Sequence, residues 1–289
     1  MSLPQHESPS PLVAVTGATG KVGGAVAEQL RAKGPAPRLV VRDASRAPGW
    51  AEDVAVATYG DYQAATAALA GVDILLMVSA SESADRLTQH RTFIDAAAAA
   101  GVRHVVYTSF LGAAPDAVFT LARTHWATEE HLRASGMGFT LLRDSFYLDF
   151  LPDLVVDGVI AGPAGTGRVG AVAREDVARA AAAVLADLAA GDRRHDGAVY
   201  ELTGPRALSL SDVAAALTAA GRPTVYRQES VEEARASRSV YGAPDWQVDA
   251  WVSTYTAIAS GALDRITHDV ERLTGRRPLG FAELLAGRP

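Results

Sequence analysis

One short stretch constrains this chain more than any other. A β-branched run, Leu12–Thr16, leads straight into Gly17-Ala18-Thr19-Gly20-Lys21-Val22-Gly23-Gly24, and a helical pattern over Lys21–Lys33 begins inside that loop. A strand that passes into a helix through glycines three residues apart needs three things. It needs a tight turn, a backbone surface with no side chain in front of it, and a helix lying close to the sheet. Such a turn presents free N–H groups and the positive end of the helix dipole, and a pyrophosphate satisfies both. Gly17, Ala18, Thr19, Gly20, Lys21 and Val22 are therefore candidate dinucleotide-binding residues, with Lys21 adding a full charge at the rim. The spacing is G-x-x-G-x-x-G, which in another context would mark only a tight turn. Its place after the first strand of a strand–helix alternation gives it meaning.

That alternation continues. Strand patterns over Arg38–Val41, Val54–Thr58, Asp73–Val78, His104–Thr108 and Phe139–Leu142 alternate with helical patterns over Gln63–Leu69, Ala84–Ala100 and Leu121–Ala134. This predicts right-handed βαβ crossovers and an α/β, Rossmann-like, doubly wound parallel sheet. After about residue 150 the pattern loosens. An Ala-rich helix to about Ala190, a strand over Ala198–Leu202, a helix capped by Ser209 and a strand over Thr224–Arg227 precede a helical C-terminus. We expect residues 1–11 to be a flexible tail and 12–150 an NAD(P)-binding domain. Residues 151–289 are expected to form a smaller C-terminal α+β lobe on the substrate side, interleaved with the first domain.

Composition narrows the function. The chain has 27 basic and 33 acidic residues, a formal charge of −6, and no basic block, which argues against nucleic acid or an anionic membrane as the main partner. It has no cysteine, so disulfides, thiolate nucleophiles and Cys-ligated metals are excluded. No apolar run approaches the roughly 18 residues that cross a bilayer, and the N-terminus has no signal-peptide pattern, so a cytoplasmic location is expected. Of His125, Glu129 and His131, the His–x3–Glu spacing puts the first two on one helix face, but no third and fourth ligands are evident and no metal is expected.

The second strand ends Val41-Arg42-Asp43. An Arg at that step suits the 2′-phosphate of NADP, and an acidic residue the 2′-hydroxyl of NAD. Arg42 therefore points to NADP(H), and Asp43 leaves NAD(H) open. Asp61, after the third strand, fits either the adenine edge or a helix N-cap. Val78, Ser79 and Ala80, after the fourth, are small enough to leave room for a ribose.

Taken together, VTGATGKVG, VVRD, YGDYQAATAALAGVD, VSASES, QHRTFIDAAAAAGVRHVVYTS and FTLLRDSFYLDF resemble the NmrA-like atypical short-chain dehydrogenase/reductases, and within them the type 2 NAD(P)H:quinone oxidoreductases. The resemblance runs from about residue 12 to about residue 220. It implies a Rossmann domain, a small C-terminal domain and a substrate cleft over the nicotinamide. It maps the phosphate loop onto Gly17 through Val22, the NADP-selecting Arg onto Arg42, and a segment near the nicotinamide onto Arg143, Asp144, Ser145, Phe146 and Tyr147. Here the chain departs from its relatives, having Asp144-Ser145 where they usually have Asn-Gly.

Ketone-reducing short-chain dehydrogenases protonate an alkoxide with a Tyr–x–x–x–Lys pair. Ser109 stands where their serine belongs, but the Tyr and Lys positions fall near His125 and Glu129, and lysine occurs in this chain only at Lys21 and Lys33. A Lys-tuned tyrosine is therefore excluded. A quinone-like acceptor fits this lack, because its reduced anion is delocalised and weakly basic and solvent can protonate it. The expected function is hydride transfer from NAD(P)H to such an acceptor, with orientation as the protein's main work. Tyr147, His125 and Ser109 are the candidate catalytic residues; Phe110, Phe146, Tyr147 and Phe150 are candidates for the acceptor pocket. His125 reads more readily as a helix-surface residue than as a proton donor. A catalytically silent NADP(H) sensor of the NmrA type is the competing reading, and a homodimer is left open.

Overall fold

The computed structural model describes residues 10–287; residues 1–9, most of the predicted tail, lie outside the described residues, as do the last two. In chain order the first half comprises β1 (Val13–Thr16), α1 (Lys21–Arg31), β2 (Arg38–Val41), β3 (Val54–Val56), α2 (Tyr62–Ala68), β4 (Ile74–Met77), α3 (Arg86–Ala99), β5 (His104–Phe110), α4 (Thr120–Ala134) and β6 (Gly138–Asp144). The predicted alternation is present, with element ends shifted by at most two residues, as fraying ends allow.

The second half comprises β7 (Val155–Val156), β8 (Val159–Gly162), α5 (Arg174–Ala189), β9 (Ala198–Leu202), α6 (Leu210–Ala219), β10 (Val225–Gln228), α7 (Val231–Ser239), α8 (Asp245–Ala259), α9 (Asp269–Thr274) and α10 (Phe281–Leu285). Seven strands form one parallel sheet in the order β3-β2-β1-β4-β5-β6-β9. The chain thus leaves the sheet after β6, makes an excursion, and returns through α5 and β9, which pairs in parallel with β6. Apolar matching explains the return. α5 is lined with small buried residues (Ala178, Ala180, Ala181, Ala182) that pack with Val22, Val26 and Leu30 of α1 in one core cluster. A second sheet has the order β10-β8-β7; the excursion supplies β7 and β8, and β10 joins them from beyond α6. The β7–β8 hairpin turns at Asp157-Gly158, where both residues have positive φ (49° and 77°), the conformation of a two-residue hairpin turn.

The central strands carry apolar side chains on both faces. All seven residues of β5 are buried, as expected where helices cover both sides of a parallel sheet.

Candidate functional site

The strand order reverses direction between β1 and β4. At such a switch point the loops leaving the two strands diverge and open a crevice. Here it is a cleft of about 840 Å³, lined by the phosphate loop, by Arg42 after β2, by Tyr59 and Gly60 after β3, by the segment after β4, and by Tyr147 and Arg174.

The loop has the geometry its glycines imply. Gly17 has φ 64°, and a Cβ there would lie 3.1 Å from Val78. The Gly20 N–H donates to the Gly17 carbonyl at 2.8 Å and closes the turn. A Cβ on Gly23 would lie 2.5 Å from the Gly17 oxygen and 2.6 Å from the Thr16 oxygen, so helix α1 touches the loop backbone at that point. The loop is a backbone cradle with no room to thicken, which fits a linked pair of phosphates. Of the residues assigned to the dinucleotide, Gly17 through Val22, Arg42, Val78, Ser79 and Ala80 all line the cleft. Asp43, the alternative NAD reader, spends its carboxylate on Ser45 N (2.9 Å) and Ser45 Oγ (2.7 Å). Arg42 is exposed and has no ion pair among the described residues.

Two sets of polar contacts hold the cleft walls. Thr16 Oγ1 donates to the Leu76 carbonyl (3.1 Å) and accepts from Val78 N (2.9 Å). The Tyr59 hydroxyl lies 2.5 Å from Thr16 Oγ1 and 2.6 Å from the Val78 carbonyl, sharing its one proton between them and tying the ends of β1, β3 and β4 together. Behind the β4 segment lies a buried network. Arg86 donates to the Ala80 carbonyl (2.9 Å), to Thr124 (2.8 Å) and to His125 Nε2 (2.9 Å). An arginine cannot accept, so His125 Nε2 is unprotonated and Nδ1–H donates to the Tyr107 hydroxyl at 3.0 Å. By the same logic His90 Nε2 accepts from Ala80 N (2.9 Å) and Nδ1–H donates to Thr128 (3.0 Å). Burial and the Arg86 charge push His125 well below the usual imidazole range and His90 down to about 3, so both rings are neutral.

This arrangement corrects several expectations. His125 is neither a helix-surface residue nor a proton donor; it is buried, neutral, and bonded to Arg86 and Tyr107. Ser109 is buried and donates to Glu129 (2.5 Å). Glu129 has no exposed surface and is gripped by Arg143 through both nitrogens (2.8 and 2.6 Å) and by Arg133. The positions of the missing Tyr–Lys pair are thus filled by a structural network, and Arg143 is spent on an ion pair away from the cleft. Asp61 caps α2 by accepting from Ala64 N at 3.0 Å and is not in the cleft wall. The four-aromatic acceptor pocket is not assembled as expected. Phe110 and Phe146 pack with Phe119 at ring separations of 4.8 to 5.1 Å in the core of the second half. Phe150 lines a different hollow of about 620 Å³, with Trp251 and Tyr255 of α8. Only Tyr147 of the four borders the cleft.

Two cleft residues carry little signal in the sequence. Arg174 reads there as part of a helix-dipole cluster, yet its guanidinium stands 5.0 Å from the centre of the Tyr147 ring and lines the cleft. Tyr59 opens the YGDY stretch, but the stretch by itself gives its side chain no role, and its bonds show its part. Asp144 and Ser145, at the end of β6, are buried, and Asp144 Oδ1 and Ser145 Oγ have no hydrogen-bond partner. Burial pushes the Asp144 carboxyl up to about 8, opposed by the Tyr147 hydroxyl that donates to its Oδ2 at 3.0 Å. Among the described residues no group of three His, Asp or Glu side chains has the arrangement to hold a metal ion, and no helix is long and apolar enough to cross a membrane.

Comparison with known proteins agrees with this geometry. A family model described as NAD(P)H-binding matches residues 17–188. Quinone oxidoreductase 2 of Escherichia coli (strain K12) is 38% identical over 282 residues, covering 94% of this chain and 96% of that protein. The NAD(P)H azoreductase of Xenophilus azovorans is 31% identical, again covering 94% and 96%. The solved structure of the E. coli NADPH-dependent quinone oxidoreductase complexed with NADPH superimposes with a TM-score of 0.86 at 35% identity, covering 95% of this chain and 99% of that one. A crevice at the sheet's switch point, a glycine cradle and a match running nearly end to end lead to one assignment: the chain belongs to the NAD(P)H-binding family and is an NAD(P)H-dependent oxidoreductase.

Proposed function

We propose that this protein is an NADPH-preferring reductase of quinone-like acceptors. The observation that carries the reading is the cleft itself: a phosphate cradle at one end, an unpaired Arg42 beside it, and Tyr147 with Arg174 at its border, with no lysine beyond Lys33 to tune a ketone-reducing tyrosine. When bound, the nicotinamide coenzyme supplies a hydride. The chain's own residues do the rest. The loop N–H groups hold the pyrophosphate, and Arg42 takes a 2′-phosphate in its planar fork. Ser79 and Ala80 hold the middle of the cleft open, and the Arg86 and His90 contacts to Ala80 keep that wall in position. Fixing donor and acceptor in contact removes the entropic part of the barrier. An acceptor whose reduced anion is delocalised needs little beyond that, and the names of the relatives, a quinone oxidoreductase and an azoreductase, denote acceptors of that kind.

The test is turnover. Purified protein is mixed with NADPH or NADH and a panel of benzoquinones and naphthoquinones, and loss of reduced-nicotinamide absorbance is followed. Reduction of the panel with a preference for NADPH is expected. Tight NADP⁺ binding with no turnover of any acceptor would overturn the reading in favour of a dinucleotide sensor.

A further inference from the structure

At the carboxyl end of β6 a carboxyl group is buried in a place where a charge has no compensation. Asp144 is 2% exposed. Its side chain has one contact, the 3.0 Å bond between Oδ2 and the Tyr147 hydroxyl, while Oδ1 has no partner. No cation pairs with it, because the neighbouring Arg143 is bound to Glu129. Tyr147 in turn borders the cleft, and Arg174 stands over its ring. A buried acid therefore touches solvent-accessible chemistry through one phenol.

We propose that Tyr147 and Asp144 form a proton-donating pair, in which Tyr147 protonates the reduced acceptor and Asp144 is the positioning residue that resupplies it. This rests on the reductase reading above. Tyr147 donates to Asp144 Oδ2 at 3.0 Å; in the proposed reacting state the neutral carboxyl donates instead to the tyrosine oxygen, which frees the phenol proton for the acceptor. Hydride delivery to a quinone-class acceptor oxidises the coenzyme and leaves a hydroquinone monoanion. The Tyr147 O–H bond breaks and its proton passes to the anionic oxygen, giving the neutral hydroquinone. The tyrosinate takes the Asp144 proton along the same contact, and water reprotonates the carboxylate as product leaves. One hydride and one proton are consumed per acceptor. Burial and a charged Asp144 push the Tyr147 phenol up; the Arg174 charge acts against them and favours the transient phenolate. When Asp144 is ionised the contact runs the other way, with Tyr147 donating to the carboxylate, and the phenol proton is no longer offered. The other ionisable groups acting on the pair are Tyr107 from β5, Asp149 from the segment after β6 and Arg86 from α3.

The experiment has an arm that needs neither coenzyme nor acceptor. Difference infrared spectroscopy of the free protein should show a protonated-carboxyl carbonyl band at pH 6. The band should disappear as pH rises through about 8 and be absent in Asp144→Asn. Tyr147→Phe, which removes a donor to the ionised form, should move that midpoint upward. In turnover, wild-type kcat should fall as pH rises through the same range. Asp144→Asn should lower kcat about tenfold at pH 7, less than the full contribution of an acid because Tyr147 itself remains, and lose the high-pH limb. Its loss should grow along a quinone series whose reduced anions become more basic, which a merely structural role would not produce. An absent carboxyl band at pH 6, or an Asp144→Asn variant with the wild-type pH profile and a flat acceptor series, overturns the proposal. Should no quinone be reduced, the reductase reading fails alone, and the infrared arm still decides whether the pair exists as described.

Discussion

Gly23→Ala is the sharpest test of the cradle. The added Cβ would sit 2.5 Å from the Gly17 oxygen, 2.6 Å from the Gly17 carbon and 2.6 Å from the Thr16 oxygen, whereas ordinary contact starts at 3.4 Å. All three atoms are backbone, so no side chain can swing away, and α1 must lift from the loop by most of an ångström. Overpacking of that kind costs about 1–3 kcal/mol of stability. The same movement carries the loop N–H groups away from the phosphates. Losing one or two charge-assisted bonds at about 1.5 kcal/mol or more each weakens NADPH binding by about 10-fold to 100-fold. Gly20→Ala is the internal control, since its Cβ would meet only the Gly17 oxygen at 3.2 Å, and a shift of a few tenths of an ångström relieves it. Calorimetric titration with NADPH and a thermal melt of both variants form the assay. A Gly23→Ala protein with wild-type Kd and Tm would refute the idea that helix and loop are in backbone contact. Equal damage from both substitutions would refute the distance argument.

Further expectations are as direct. Arg42→Ala should weaken NADPH binding about 10-fold or more while leaving NADH nearly unchanged, because only the 2′-phosphate meets that side chain; equal loss for both would show that it does not read the phosphate. Glu129→Ala leaves Arg143 partly buried without its partner and should cost about 3–5 kcal/mol in a denaturant titration; an unchanged midpoint would show that the pair is energetically idle. Asp144 keeps a proton in the folded state to about pH 8 that it releases near its ordinary value when unfolded. The native state therefore binds more protons between those values, and stability declines as pH rises from about 4 to about 8, by up to about 1.4 kcal/mol per pH unit. Asp144→Asn removes that decline, so its Tm relative to wild type should climb between pH 5 and pH 8; a pH-independent difference would count against the buried proton.

Local chemistry settled a definite share of this molecule. The glycine loop after β1 states both its turn and its ligand, because a backbone with no side chains can do little else so economically. The alternation of short apolar strands with Ala-rich helices dictates a covered parallel sheet. The absence of lysine beyond Lys33 excludes a mechanism outright. A fainter local signal, Asp157-Gly158 between Val155-Val156 and Val159-Ile160, marks the β7–β8 hairpin, whose strands are too short to show a period of their own.

Other features depended on which residues meet across the fold. Ala198–Leu202 could be read as a strand but not as the seventh strand of the main sheet, since parallel pairing with β6 depends on α5 finding α1. His125 reads like a surface histidine because helical spacing does not say which face is covered; burial, reinforced by Arg86 39 residues earlier, keeps it neutral. Phe150 and Tyr147 lie three residues apart and face different hollows. Arg174 reaches the cleft only because the excursion after β6 returns beside Tyr147. Strand and helix identity come from near neighbours in the chain, through period and turn chemistry. Burial and protonation come from neighbours tens of residues away, which only packing brings into contact.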